Sequence, residues 1–223
     1  MSLAATIVKK STPLRQGFRQ RRIQPFVQML ERIHREHGAV QLLDVGGTRR
    51  YWDLIPAATF EELNVFVTVV NFASESFEDQ PRFRYLEGNG CHLPSLNDNS
   101  YDIVHSNSVI EHVGTWEHMA QFAHEVRRLA PRYWVQTPYF WFPIEPHCMT
   151  PFFHWLPWPL RVKLVQRLRL GNWPRAATLD EAVRTVESAR LLDQAMMQDL
   201  FPEAKVRVER LMLLPKSLIM VRE

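Results

Sequence analysis

Residues able to do chemistry gather at three places in this 223-residue chain, each beside glycine or proline. The run Leu43-Asp44-Val45-Gly46-Gly47 ends an apolar stretch in an acid and two glycines. Glycine lets backbone approach a ligand closely, and an acid at the loop entrance suits a ligand with a positive amine. A pyrophosphate is poorly served, because the GxGxxG spacing that places helix-terminus amides on it is not there. A second glycine pair, Gly88 and Gly90, brackets Asn89 and leads into Cys91 and His92. The third place is split between Glu111-His112 and the Glu145-Pro146-His147 segment, carboxylates and imidazoles of the kind that move protons near neutral pH. His112 is the stronger candidate; His147 is as well suited to holding a proline-rich loop in shape. The two cysteines, Cys91 and Cys148, sit in no CxxC or Cys/His pattern, so no metal is expected.

The elements that must carry these residues alternate. Short apolar, β-branched runs at 40–47, 64–70, 82–86, 101–106 and 132–136 read as buried strands. A helix over 115–129 has Met119, Phe122, Ala123, Val126 and Leu129 on one face, Thr115 as its cap and Pro131 as its stop. Strands alternating with helical segments predict an α/β, doubly wound, mostly parallel sheet with helices on both faces. In such a sheet ligands bind at the carboxyl ends of the strands, where strand order reverses. The glycine pairs follow the first and third strands, and Ser106 and Asn107 end the fourth. Thr178-Leu-Asp-Glu181 opens a helix or helix pair to about residue 200, and strands at 205–213 and 217–221 are expected to pair antiparallel through a Pro-Lys turn.

The net charge of +3 is uneven: residues 1–38 hold eight Lys/Arg against two Glu, which leaves the remainder negative. Either this is a basic helical extension (1–38) with a solvated face and a buried stripe of Ile23, Phe26, Val27, Leu30, Ile33 and His34, or it touches phosphates or an anionic membrane. Residues 39–223 form the main domain. Within it, the segment 138–175 holds seven of the 15 prolines and nine of the 25 aromatics, which marks an insertion (lid at 139–175) whose helix is expected to cap the sheet. Aromatics beside a basic helix also suit a lipid boundary. No apolar run reaches the roughly 18 to 20 residues of a membrane-spanning helix, so a cytoplasmic place is expected, with peripheral contact at the inner face of a membrane left open.

An acid in the loop entrance, with no phosphate cradle, points to S-adenosylmethionine, which carries an ammonium and a sulfonium. LDVGG at 43–47, YDIVHSNSVIEHV at 101–113 and EVRRLAPRYWVQTP at 125–138 resemble class I S-adenosylmethionine-dependent methyltransferases. The resemblance covers about 40–138 and, more weakly, 188–222. It implies a seven-stranded sheet whose last strand is antiparallel. It also implies cofactor contacts from Asp44, Gly46, Gly47, Asn71, Asn89, Gly90, Cys91, Ser106 and Asn107, with Glu111, His112 and His147 as candidate catalytic groups. Asn71 and Asn89 stand where relatives usually have acids. The acceptor implied is a small molecule, a glycan or a lipid-linked molecule, methylated at oxygen. A nucleic-acid methyltransferase is the alternative, although the Asp/Asn-Pro-Pro-aromatic motif of base-amine methylation is missing after strand four; a non-catalytic S-adenosylmethionine-binding protein is another, and the loop spacing disfavours a nicotinamide oxidoreductase.

Overall fold

A computed structural model describes residues 12–72 and 80–223, with side chains in the first helix from residue 23 onward. The first helix, α1 (Thr12–His37), leads into β1 (Val40–Val45). A 3-10 segment (Arg49–Leu54) and α2 (Ala57–Glu62) precede β2 (Val65–Asn71), and β3 (Phe83–Glu87) and β4 (Ile103–Asn107) follow. A one-turn 3-10 segment (Ile110–His112) then leads to α3 (Trp116–Leu129) and β5 (Tyr133–Pro138). The insertion holds a small pair, β6 (Ile144–Glu145) and β7 (Thr150–Pro151), then α4 (Trp158–Arg167). The chain closes with α5 (Leu179–Glu187), α6 (Gln194–Leu200), β8 (Lys205–Leu211) and β9 (Leu214–Arg222).

The main sheet has seven strands in the order β3-β2-β1-β4-β5-β9-β8. Strands β1 to β5 pair in parallel, and β9 runs antiparallel to both β5 and β8. The last strand is therefore the antiparallel one, and strand order reverses between β1 and β4. Alternation along the strands divides the core in two. Leu42, Val67, Val69, Ile103 and Trp134 pack under Ile23, Phe26, Met29, Leu30 and Ile33 of α1, while Leu43, Val45, Val104 and Val135 pack under α3 and α6. Phe122 of α3 is fully buried, and its truncation to Ala would cost about 3 to 5 kcal/mol.

Two expectations are corrected. The β8–β9 turn lies at Met212-Leu213, and Pro215 and Lys216 are inside β9; a register shift between Glu209 and Arg210, opposite Pro215, gives the ring a place without a ladder bond. The insertion does not cap the sheet with its helix. Val162 and Val165 of α4 bury against Phe153, Cys148 and Ala182 and Val186 of α5, a separate third core. Thr178 caps α5 by accepting from the Glu181 amide at 3.1 Å, and the Glu181 carboxylate reaches back to the Ala177 amide at 2.7 Å. The basic residues up to Arg22, on which any anionic contact of the leading segment depends, lie outside the described side chains. Among the described residues no helix is long and apolar enough to cross a membrane.

Candidate active site

At the strand-order reversal the carboxyl ends of β1, β2 and β3 open onto a cavity of about 350 Å³, walled by Gly46, Asn71, Asn89, Gly90, Val109 and His112 among others. Gly46 has φ +72°, and a Cβ there would stand 2.6 Å from Val109 Cγ1. A Cβ on Gly47 would overlap the Asp44 carboxylate. The loop is therefore narrow on both sides, and its backbone is the cavity wall.

Asp44 itself is not on that wall. It is fully buried beneath the loop, with Oδ1 2.7 Å from His105 Nδ1 and Oδ2 accepting from Trp52 Nε1 at 2.7 Å. His105 Nε2 lies 3.2 Å from the Tyr51 hydroxyl. Both carboxylate oxygens are engaged within the protein, so the expectation that Asp44 meets a ligand's amine gives way to a carboxylate that shapes the loop from below. Asn71 lines the cavity and ties its rim: Nδ2 donates to Gly47 O at 3.1 Å and Oδ1 accepts from the Phe72 amide at 2.9 Å. An acid at this position has no donor for Gly47. Asn89 Oδ1 accepts from the Cys91 amide at 3.0 Å, which closes the turn through Gly90. The Cys91 thiol donates to His118 O at 3.4 Å and is pushed up by burial and by nearby Glu125, so it stays protonated. Ser106 is buried, its hydroxyl donating to Val45 O at 3.0 Å.

Asn107 faces a second cavity of about 560 Å³, walled by Gln136, Phe142, Met149, Leu211 and Lys216 among others. Ser108 lines both cavities. It is held at φ +57°, its amide donating to Gln136 O at 2.9 Å, a left-handed conformation that costs a residue with a side chain on the order of 1 kcal/mol or more. Trp141 is 56% exposed, stacked near Phe140 and Trp155, and does not line this cavity. Sequence reasoning passed over Ser108, Phe142 as distinct from Trp141, and the β8–β9 residues. The left-handed turn at Ser108 has no glycine to announce it.

The four acid and imidazole candidates converge. Glu111, His112 and His147 place one potential ligand atom each within 4.8 Å of one another. His112 Nδ1 donates to Ser188 O at 2.7 Å, and the His112 and His147 Nε2 atoms stand 3.1 Å apart. His147 Nδ1 lies 2.6 Å from Glu145 Oε1, while Glu145 Oε2 accepts the His147 and Cys148 amides at 2.8 and 2.6 Å. Burial raises Glu145, but the His147 hydrogen bond and the Cys148 amide outweigh it and hold the carboxyl below its ordinary range. Burial also opposes a charged His147, yet the bond to Glu145 holds it above the ordinary range; burial lowers His112. Glu111 is 1% exposed. Its Oε2 accepts from Thr137 at 3.0 Å, Oε1 has no hydrogen-bond partner, and burial pushes the acid up to about 7.

Residues 43–131 match the methyltransferase domain family. No curated protein matches the sequence. Among solved structures, an S-adenosylmethionine-dependent methyltransferase from Methanosarcina mazei is similar at 10% identity and a TM-score of 0.52, over 82% of this chain and 91% of that one. Burkholderia thailandensis 1,6-didemethyltoxoflavin-N1-methyltransferase, solved with 1,6-didemethyltoxoflavin and S-adenosylhomocysteine, is similar at 14% identity and 0.49, over 89% and 76%. A putative O-methyltransferase from Nostoc punctiforme follows at 13% and 0.46, with 90% of this chain covering 56% of that one. The match to the methyltransferase domain spans β1 to α3, and the strand order with its antiparallel last strand is that of the class I, S-adenosylmethionine-dependent methyltransferase fold.

Proposed function

We propose that the chain transfers the methyl group of S-adenosylmethionine to an oxygen of a small-molecule, glycan or lipid-linked acceptor. The observation that carries this reading is Ser108, one residue shared by the wall of the strand-end cavity and the wall of its larger neighbour. A methyl donor in the first and an acceptor in the second would meet there.

The first cavity fits the cofactor in kind. Its backbone at Gly46 comes where a side chain would fill the space, Asn71 and Asn89 offer amide groups to hydroxyls and an adenine edge, and no phosphate cradle is present. When bound, the sulfonium supplies a methyl carbon whose bonding pair leaves with sulfur. The chain's own part is to align and to exclude water, and positioning of this kind accounts for much of the rate of such displacements. Gly46, Gly47, Asn71, Asn89, Gly90 and Cys91 would hold the cofactor, Asp44 and Ser106 would brace the loop beneath it, and Asn107 and Ser108 would face the acceptor. Glu111, His112 and His147, with His112 on the wall of the first cavity, are the groups that would meet an acceptor oxygen once it reaches the transferring methyl there.

The acceptor cavity favours a partly apolar molecule. Phe142, Met149 and Leu211 line it, Met149 is 56% exposed, and the adjoining hairpin tip leaves Met212 and Leu213 at 93% and 87% exposure. That composition supports a lipid-linked or aromatic acceptor over a nucleic acid. Calorimetric titration with S-adenosylmethionine and S-adenosylhomocysteine, followed by transfer of labelled methyl to a panel of hydroxylated small molecules, glycans and isoprenoid-linked sugars, tests the reading. Labelled product in the panel supports it; an inability to bind either nucleoside would end it.

A further inference from the structure

Two imidazoles whose Nδ1 hydrogens are already committed face each other through bare Nε2 atoms, and a buried carboxylate oxygen with no partner lies beside them. We infer that Glu111, His112 and His147 form a binding site for one divalent transition-metal ion, with zinc the ion best matched to the donor set.

The argument begins with hydrogen positions. Ser188 O can only accept, so His112 carries its hydrogen on Nδ1. The Glu145 carboxylate already takes two backbone amides on Oε2, and His147 Nδ1 donates to its Oε1. With both rings neutral, as metal binding requires, each has a lone pair on Nε2, and the two Nε2 atoms stand 3.1 Å apart. Two lone pairs at that distance repel unless something positive lies between them. Two nitrogens bound to one tetrahedral zinc at about 2.05 Å stand about 3.3 Å apart, so the rings are close to a shared ion's geometry.

The third ligand is an independent observation. Glu111 is 1% exposed, its Oε2 is used by Thr137, and its Oε1 is buried without a partner. An orphan carboxylate oxygen in that position costs stability unless a cation meets it. Its ligand atom lies within 4.8 Å of both imidazoles, and the soft terminal torsion of a glutamate can close the remaining distance. The surrounding contacts are those metal-bound histidines require: one Nδ1–H on a carboxylate and the other on a backbone carbonyl, which fix both tautomers and aim both Nε2 atoms. Nitrogen-rich donors suit zinc and its transition-metal neighbours, whereas magnesium and calcium take oxygen. Three protein ligands leave one position of a tetrahedral ion open, the pattern of catalytic sites. The binding claim stands on these residues alone. Its use rests on the methyl-transfer reading, in which an ion held by His112, on the wall of the first cavity, would polarise an acceptor hydroxyl. Sequence spacing hides the site because His147 is 35 residues from His112 and none of the ligands is cysteine.

The test uses the full chain, freed of metal with a chelator and titrated calorimetrically with Zn²⁺, with Co²⁺ as a visible-absorption probe. One ion per chain is expected, with the intense cobalt bands of a four- or five-coordinate site. Glu111→Gln and His147→Ala should each weaken Zn²⁺ by at least about 100-fold, and Glu145→Gln by about 10- to 100-fold through His147, with circular dichroism unchanged. His37→Ala, at the carboxyl end of α1, should bind as the parent does. The inference is overturned if the parent shows no stoichiometric binding, or if His147→Ala and Glu111→Gln bind Zn²⁺ as tightly as the parent, which would mean that a proton occupies the space between the rings. Tight zinc binding without S-adenosylmethionine binding leaves this site standing and removes the methyl-transfer reading; the opposite pair of results does the reverse.

Discussion

Around the first cavity one wall is backbone and short side chains at the ends of β1, β2 and β3, closed by Phe72, Val109, His112, His118 and Phe122, whereas around the second the walls include Phe142, Met149, Leu211 and Lys216, carried on an irregular insertion and a hairpin. The first is tied by hydrogen bonds that leave little choice of residue: Asn71 to Gly47, Asn89 to Cys91, Ser106 to Val45. The second is shaped by side-chain volume, and its insertion has a core of its own around Val162, Val165 and Ala182. A wall made of backbone tolerates almost no substitution but is indifferent to what lies across it. A wall made of side chains on a separate core can change its shape while the sheet stays as it is. Substitutions should therefore act differently on the two sides.

The largest effect is expected where backbone is the wall. Gly46→Val places a branched side chain at φ +72° and against Val109, which is strained as well as occluding. Calorimetry should detect no cofactor binding, while circular dichroism shows a folded and less stable protein. Unaltered binding would move the cofactor away from this loop and dissolve the contrast.

Next comes the support under that loop. Asp44→Ala leaves His105 Nδ1 and Trp52 Nε1 buried without their acceptor, and removing one partner of such a buried group costs about 3 to 5 kcal/mol. A fall in the thermal midpoint of many degrees is the expected result. A variant of parental stability that has lost cofactor affinity would show instead that Asp44 touches the ligand directly.

How much of this could be read from sequence follows the same division. β1, β2, β4, β5 and α3 were legible because each keeps one period throughout: Leu42 and Leu43 face opposite cores, and Met119, Phe122 and Val126 face one. Asp44 was legible as a special residue, but its partners were not, since Trp52 is eight residues on and His105 lies on the neighbouring strand, where only the β1–β4 register brings it alongside. His112 and His147 were each visible singly, and their meeting at 3.1 Å depends on how the Pro143–Pro146 segment folds back. In the β8–β9 hairpin, Pro215-Lys216 carried the stronger turn signal, yet Met212 makes the turn at φ +55° and Pro215 sits opposite a register shift. The acceptor side was legible only as composition, because its geometry comes from packing between distant segments.

A smaller effect is expected at Asn71, where the resemblance implies an acid and the sequence has an amide. Asn71→Asp keeps the acceptor for the Phe72 amide but replaces the donor to Gly47 O with a second acceptor. The lost hydrogen bond is worth about 1 kcal/mol, so cofactor affinity should fall by roughly fivefold to tenfold. A rise in affinity would mean that a charge-assisted bond to the ligand outweighs the tie to the loop.

The smallest effects separate two neighbours on the insertion. Phe142 is buried and lines the second cavity, whereas Trp141 is half-exposed and stacks outside it near Phe140 and Trp155. Phe142→Ala removes contact area that ground state and transition state share, so it should raise the acceptor's KM by roughly fivefold, about 1 kcal/mol of apolar contact, with kcat nearly unchanged. Trp141→Ala should move either constant by less than about twofold in transfer to a small soluble acceptor. Steady-state kinetics at saturating cofactor distinguish them. If the two variants behave alike, the cavity wall extends to Trp141 when the acceptor is bound, and the insertion closes over its ligand. If Phe142→Ala lowers kcat with KM unchanged, the second cavity takes part in aligning the reacting atoms, and the division between a backbone wall that positions and a side-chain wall that selects no longer holds.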